Sequence, residues 1–108
     1  MSLLYNFDID SINDILKILA QNLQTRRLEK GISRNTLSEM SSVPVATIAK
    51  FERKYTVSLA SYIALAKALG YTKDVKELLS KPIYNTMEEL DMIHKNKGRK
   101  RGNRETNK

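Results

Sequence analysis

Four consecutive residues, Ser41, Ser42, Val43 and Pro44, constrain this chain more than any other stretch. Apolar residues at helical spacing run up to them and resume after them. Proline has no amide hydrogen and is tolerated in the first turn of a helix but not in its interior. The two helical patterns therefore cannot fuse into one rod, and a Ser-Ser-Val-Pro run is a turn signal. The prediction is two short helices, one capped by Ser33 and running to about Ser41, the other starting near Pro44 and running to about Arg53. A turn of three or four residues joins them.

The same punctuation organises the rest of the chain. Ser11 followed by Asp14 has the form of a capping box and predicts the start of a first helix. That helix carries Ile12, Ile15, Leu16, Leu19 and Leu23 at helical spacing and is stopped by Gly31, with Lys30 favourable in its last turn. Leu37 and Met40 form the expected inward face of the second helix. Ser58 is the expected cap of a fourth, with Leu59, Tyr62, Ile63, Ala66 and Leu69 on one stripe and Gly70 at its end. Thr72 is the expected cap of a fifth, with Val75, Leu78 and Leu79 facing in. Pro82 marks a break, and Thr86 with Glu89 forms a second capping box ahead of a short segment whose apolar side is Leu90, Met92 and Ile93. No strand is predicted. The fold class is all-α: a compact five-helix domain, a short extra C-terminal helix and a disordered basic tail. The expected boundaries are an arm over 1–10, the domain over 11–80, a helical appendage over 81–94 and the tail over 95–108.

Charge placement matters more than its sum. The net charge is +7, yet Lys95, Lys97, Arg99, Lys100, Arg101, Arg104 and Lys108 stand against Glu105 alone in the tail, so the excess belongs mainly there. Within the body, residues 26–54 hold seven basic groups against three acidic ones. A basic centre and a basic tail are what a phosphate-binding surface would look like.

Two short amphipathic helices joined by so tight a turn have helix-turn-helix geometry, in which the second helix enters the major groove of DNA. Ile48 and Phe51, three apart, face the core, and Glu52, four after Ile48, lies on the same side. Arg27, four after Leu23, lies on the buried side of the first helix. Charges on two inward faces make sense only as a pair, because an unpaired buried charge costs several kcal/mol. The outward face of the third helix is then Val45, Ala46, Ala49, Lys50 and Arg53.

At these residues the chain resembles the Xre/Cro-type helix-turn-helix repressors of phages and bacteria. The resemblance covers about residues 18–79. It is carried by Arg27, Gly31-Ile32-Ser33, Leu37, Val43, Thr47-Ile48 with Glu52, Leu59, Leu65-Ala66 and Ala68-Leu69-Gly70. It implies an Arg27–Glu52 pair linking the first and third helices. It implies that Val45, Ala46 and Lys50 read bases, the first two against thymine methyls and Lys50 donating to guanine O6 and N7. Ser33, Arg34, Thr47, Arg53, Lys54 and Thr56 are implied as phosphate contacts. The expected partner is a double-stranded DNA operator bound by a homodimer.

Three residues depart from that pattern. Ser42 stands where the family prefers Gly, in a turn position that calls for a left-handed backbone. Pro44 replaces the usual Ser or Thr cap, leaving Val43 burial and proline's fixed angle to hold the turn. Lys54 replaces a common Gly or Asn at the helix end.

The tail residues Arg99, Lys100, Arg101 and Arg104 either track phosphates or reach a minor groove, or form a solvated charge run. Val75, Leu78, Leu79, Ile83, Leu90 and Ile93 exceed what a five-helix core needs. They serve a dimer or partner contact, or pack on their own domain. The short architecture with a basic tail also resembles Hip-type antitoxins, which bind a protein toxin and repress their own operon. A non-specific nucleic-acid binder working through the tail is a third reading.

No enzyme is expected. The chain has one histidine, His94, and no cysteine, which leaves neither a zinc ligand set nor a thiolate. It has no glycine-rich phosphate loop, no serine nucleophile elbow and no inward carboxylate pair. The five tyrosines are too scattered for an RNA-stacking platform. No cofactor and no metal is expected. No apolar run approaches the roughly 18 residues of a membrane span, and the start lacks a secretion signal, so the expected location is cytoplasmic.

Overall fold

A computed structural model of the protein describes residues 10–99. The described chain is all-helical: α1 (Ile12–Glu29), α2 (Arg34–Ser41), α3 (Val45–Lys54), α4 (Leu59–Ala68), α5 (Thr72–Glu77) and α6 (Met87–Asn96). It divides into two compact units, Met1–Lys76 and Glu77–Lys108. The expected arm up to Ile9, and Lys100, Arg101 and Arg104 of the expected tail, lie outside the described residues.

Local chemistry sets the helix ends. The Ser11 hydroxyl accepts from the Asp14 amide while the Asp14 carboxylate accepts from the Ser11 amide, both at 3.0 Å. Ser33 and Ser58 accept from the amides of Thr36 and Ser61. Each such cap contributes about 1 kcal/mol by satisfying an otherwise orphaned donor. Gly31 (φ 69°) and Gly70 (φ 95°) follow α1 and α4 in the left-handed region, which glycine enters without a Cβ penalty.

The core of the first unit is Ala20, Leu23, Leu37, Val43, Ile48, Phe51, Leu65 and Leu69. α3 packs on α1 and on α2, and α2 also packs on α4. Phe51 of α3 meets Tyr62 of α4 edge to face, with ring centroids 5.8 Å apart and planes at 78°. This is a favoured geometry for the ring quadrupoles.

Several expected inward residues face solvent instead. Ile12 and Ile15 are exposed, and the buried residues of α1 are Ala20, Leu23 and Arg27. The reason is length. α1 spans about 27 Å, against about 12–15 Å for α2 and α3, so its first turns outrun their partners. Met40 is exposed, and Val43 in the turn supplies the buried apolar group beside Leu37. On α4 the inward stripe is Tyr62, Leu65, Ala66 and Leu69, while Leu59 and Ile63 are exposed. This helix is apolar on nearly every side, so spacing alone does not select its buried face. Thr72 is the first residue of α5 rather than its cap, and the Val75 amide bonds the Tyr71 carbonyl. Leu78 and Leu79 fall past the end of α5, with Leu79 itself left-handed at φ 65°. The helical phase that would have turned them inward no longer applies, and both are exposed.

In the second unit α6 begins at Thr86, whose hydroxyl accepts from the Glu89 amide at 3.0 Å. The Glu89 carboxylate accepts from the amide of Asn85, one residue beyond the Thr86 amide of the expected box. Leu90 and Ile93 are half-buried and Met92 is exposed. Lys95 and Asn96 complete α6, so helix extends into what was expected to be tail. The acids Glu88 and Glu89 in its first turn and Lys95 in its last turn complement the helix dipole.

Candidate nucleic-acid interface

The turn between α2 and α3 is held by its own side chains. Ser42 closes α2 in the left-handed conformation, at φ 65° and ψ 17°, with its amide on the Ser38 carbonyl at 2.8 Å. This is the position expected to call for such a backbone. The Ser41 hydroxyl donates to the Leu37 carbonyl at 2.8 Å and accepts from the Val43 amide at 3.1 Å. Val43 is buried, and Pro44 caps α3 with no side-chain bond. The stitching by Ser41 escaped the sequence reading. A serine beside a turn is the signal that could have found it, because its hydroxyl readily bonds nearby backbone. At the far end of α3 the left-handed residue is Tyr55 (φ 67°), not Lys54, which is the last helical residue.

α3 thereby presents two distinct faces. Ile48, Phe51 and Glu52 are buried, while Val45, Ala46, Lys50 and Arg53 are exposed and Ala49 is half-buried. Thr47 is half-buried, and Lys54 and Thr56 are exposed. Ser33 is exposed beside Arg34 at the start of α2.

The buried Glu52 carboxylate sits among two arginines. Arg27 Nε donates to Oε2 at 2.9 Å and Arg27 Nη2 to Oε1 at 3.0 Å, a two-point pair joining α1 to α3. Arg27 Nη1 also donates to the Ile32 carbonyl at 3.0 Å, holding the α1–α2 connection. Arg34 Nε donates to the same Glu52 Oε1 at 2.9 Å. The side chains of Arg27 and Glu52 are 7% and 1% exposed, and that of Arg34 is 33% exposed. The second arginine was not foreseen as a partner of Glu52. Only proximity of α2's first residue to α3's last turn brings it there, and eighteen residues of separation hide that from any local pattern.

The electrostatic result is one-sided. Glu52 is the only acid in α3, and it is turned inward and paired with cations. The helix therefore shows solvent only positive charge, from Lys50, Arg53 and Lys54. An α-helix fits the major groove, about 12 Å wide. A helix packed on its neighbours by one face and turned outward by the other in this way is the arrangement of a DNA-binding helix-turn-helix protein.

A helix-turn-helix family model matches residues 23–76, half of the chain. The chain belongs to this family, of the Xre/Cro type, whose domain is a DNA-binding module of transcription regulators. No curated protein and no solved structure matches the chain significantly. No helix among the described residues is long and apolar enough to cross a membrane.

Proposed function

We propose that the protein is a sequence-specific repressor that inserts α3 into the major groove as a homodimer. The observation that carries this reading is the division of α3 into a buried face of Ile48, Phe51 and Glu52 and an exposed face of Val45, Ala46, Lys50 and Arg53. Val45 and Ala46 offer methyl contacts to thymine, and Lys50 is the strongly polar base reader. Ser33, Arg34, Thr47, Arg53, Lys54 and Thr56 flank it as phosphate contacts, which fix orientation and carry no sequence information. Arg99, Lys100, Arg101 and Arg104 add phosphate contacts beyond the domain.

Dimerisation is part of the proposal because one helix reads only a few base pairs. Two-fold pairing would set recognition helices about 34–36 Å apart. Leu78, Leu79 and Ile83 are among the most exposed large apolar side chains of the described chain, and clustered exposed apolar groups mark interaction surfaces. With the half-buried Leu90 and Ile93 of the same unit they form the proposed contact. Light scattering at micromolar concentration tests it: a dimer is expected, and a monomer at every concentration excludes it.

The test of sequence-specific binding is a titration against the DNA upstream of the protein's own gene and against a scrambled duplex. Tighter binding to an inverted repeat in that DNA is expected. Equal affinity for every duplex would favour a non-specific binder. Co-purification of a neighbouring gene product with the 81–108 region would favour the antitoxin reading.

A further inference from the structure

Glu52 holds more cation than it needs. Arg27 alone neutralises its charge and engages both carboxylate oxygens, yet Arg34 is tied to Oε1 as well. The group of three carries a net positive charge. The surplus lies on Arg34, which is one-third exposed where Arg27 and Glu52 are almost wholly covered. Arg34 uses only Nε for this bond. Among the described residues its Nη1 and Nη2 have no hydrogen-bond partner. An arginine held by one edge keeps its other donors in a fixed planar fork, the shape that matches two oxygens of a phosphate.

Resting on the DNA-binding reading above, we propose that Glu52 is a positioning residue for DNA. It holds Arg34 by Nε so that Nη1 and Nη2 form a pre-set clamp for one backbone phosphate. The buried pair that ties α1 to α3 is thus extended to the rim of the helix-turn-helix unit. Because Arg34 is ordered before DNA arrives, the phosphate contact forms with little further loss of side-chain freedom.

The test is fluorescence anisotropy of a labelled duplex of scrambled sequence over a KCl series, for the full chain and three variants. Arg34→Gln should lower affinity about 10-fold and reduce the slope of log K against log salt by about 0.9. A lower melting temperature with an unchanged slope would show a purely structural arginine and overturn the proposal. Arg34→Lys should restore the slope but only part of the affinity. Full recovery would mean that a point charge suffices, and the held fork would be refuted. Glu52→Gln, checked for folding by circular dichroism, gives opposite signs. Removing a negative charge near DNA should strengthen binding on charge grounds alone, whereas loss of positioning should weaken it; strengthened or unchanged binding counts against the proposal. If that variant does not fold, the Arg34→Lys comparison decides. If the unaltered protein binds no duplex at all, the DNA-binding reading fails too; if it binds and Arg34→Gln matches it in slope, only the clamp fails.

Discussion

Arg27 and Glu52 close a two-point ion pair, Nε to Oε2 at 2.9 Å and Nη2 to Oε1 at 3.0 Å, between the second half of α1 and the last turn of α3. Nothing else in the described chain joins these helices by a charge pair. Burial makes the pair demanding. Arg27 in particular needs Glu52, its one acidic partner among the described residues, because its buried guanidinium cannot turn to water.

Glu52→Ala should therefore destabilise the domain by about 3–5 kcal/mol, since it leaves the Arg27 guanidinium buried without its counter-charge. Chemical denaturation followed by circular dichroism measures this. A midpoint within error of the unaltered protein would contradict the account. Replacing both residues with apolar ones of similar volume should recover much of the loss, because the same burial then costs no charge desolvation.

The two left-handed residues flanking α3 should respond to glycine in opposite directions. Ser42→Gly relieves a conformation that costs an L-residue about 1–2 kcal/mol, against about 0.5–1 kcal/mol of glycine entropy. The exposed serine side chain has little packing to lose. A stabilisation on the order of 0.5–1 kcal/mol is expected. Tyr55→Gly relieves similar strain but removes a ring packed against the core, a loss of about 1.5–3 kcal/mol, and should destabilise. Two urea titrations compare them, and equal shifts would mean that strain, not packing, governs both sites.

Lys50→Ala should leave stability nearly unchanged, because the side chain is exposed, and should reduce discrimination between an operator and scrambled DNA by about 1–3 kcal/mol. Competition binding at fixed salt measures the ratio. A uniform loss on both duplexes would reassign Lys50 to phosphate contact.

Truncation after Gly98 should lower the salt slope by about 0.9 for each phosphate contact removed while the preference for an operator persists. Titrations over a salt series report both. If the preference vanished with the tail, the base readers would have to lie outside α3.

The boundaries of α1 to α4 were legible in the chain because they depend on neighbours. The caps at Ser11, Ser33 and Ser58, the stops at Gly31 and Gly70, and the left-handed turn at Ser42 each involve residues within four positions of one another. The inward side of α3 was legible for a related reason: Ile48 and Phe51 are its large apolar residues at helical spacing. α4 gave no such bias, and there the choice of Tyr62 and Leu65 over Leu59 and Ile63 rests on where α2 and α3 lie. The exposure of Ile12 and Ile15 is likewise a matter of what α1 has beside it, not of its pattern.

By itself, then, the amino-acid order determined the helices, the capped ends of α1 to α4 and the turn that aims α3, since each follows from hydrogen bonds and dihedral limits spanning a few residues. Tertiary structure alone decided which apolar residues of α1 and α4 found partners, and that Arg34 shares the carboxylate of Glu52 with Arg27. Burial and charge pairing depend on distances across the fold, and sequence spacing carries no measure of those.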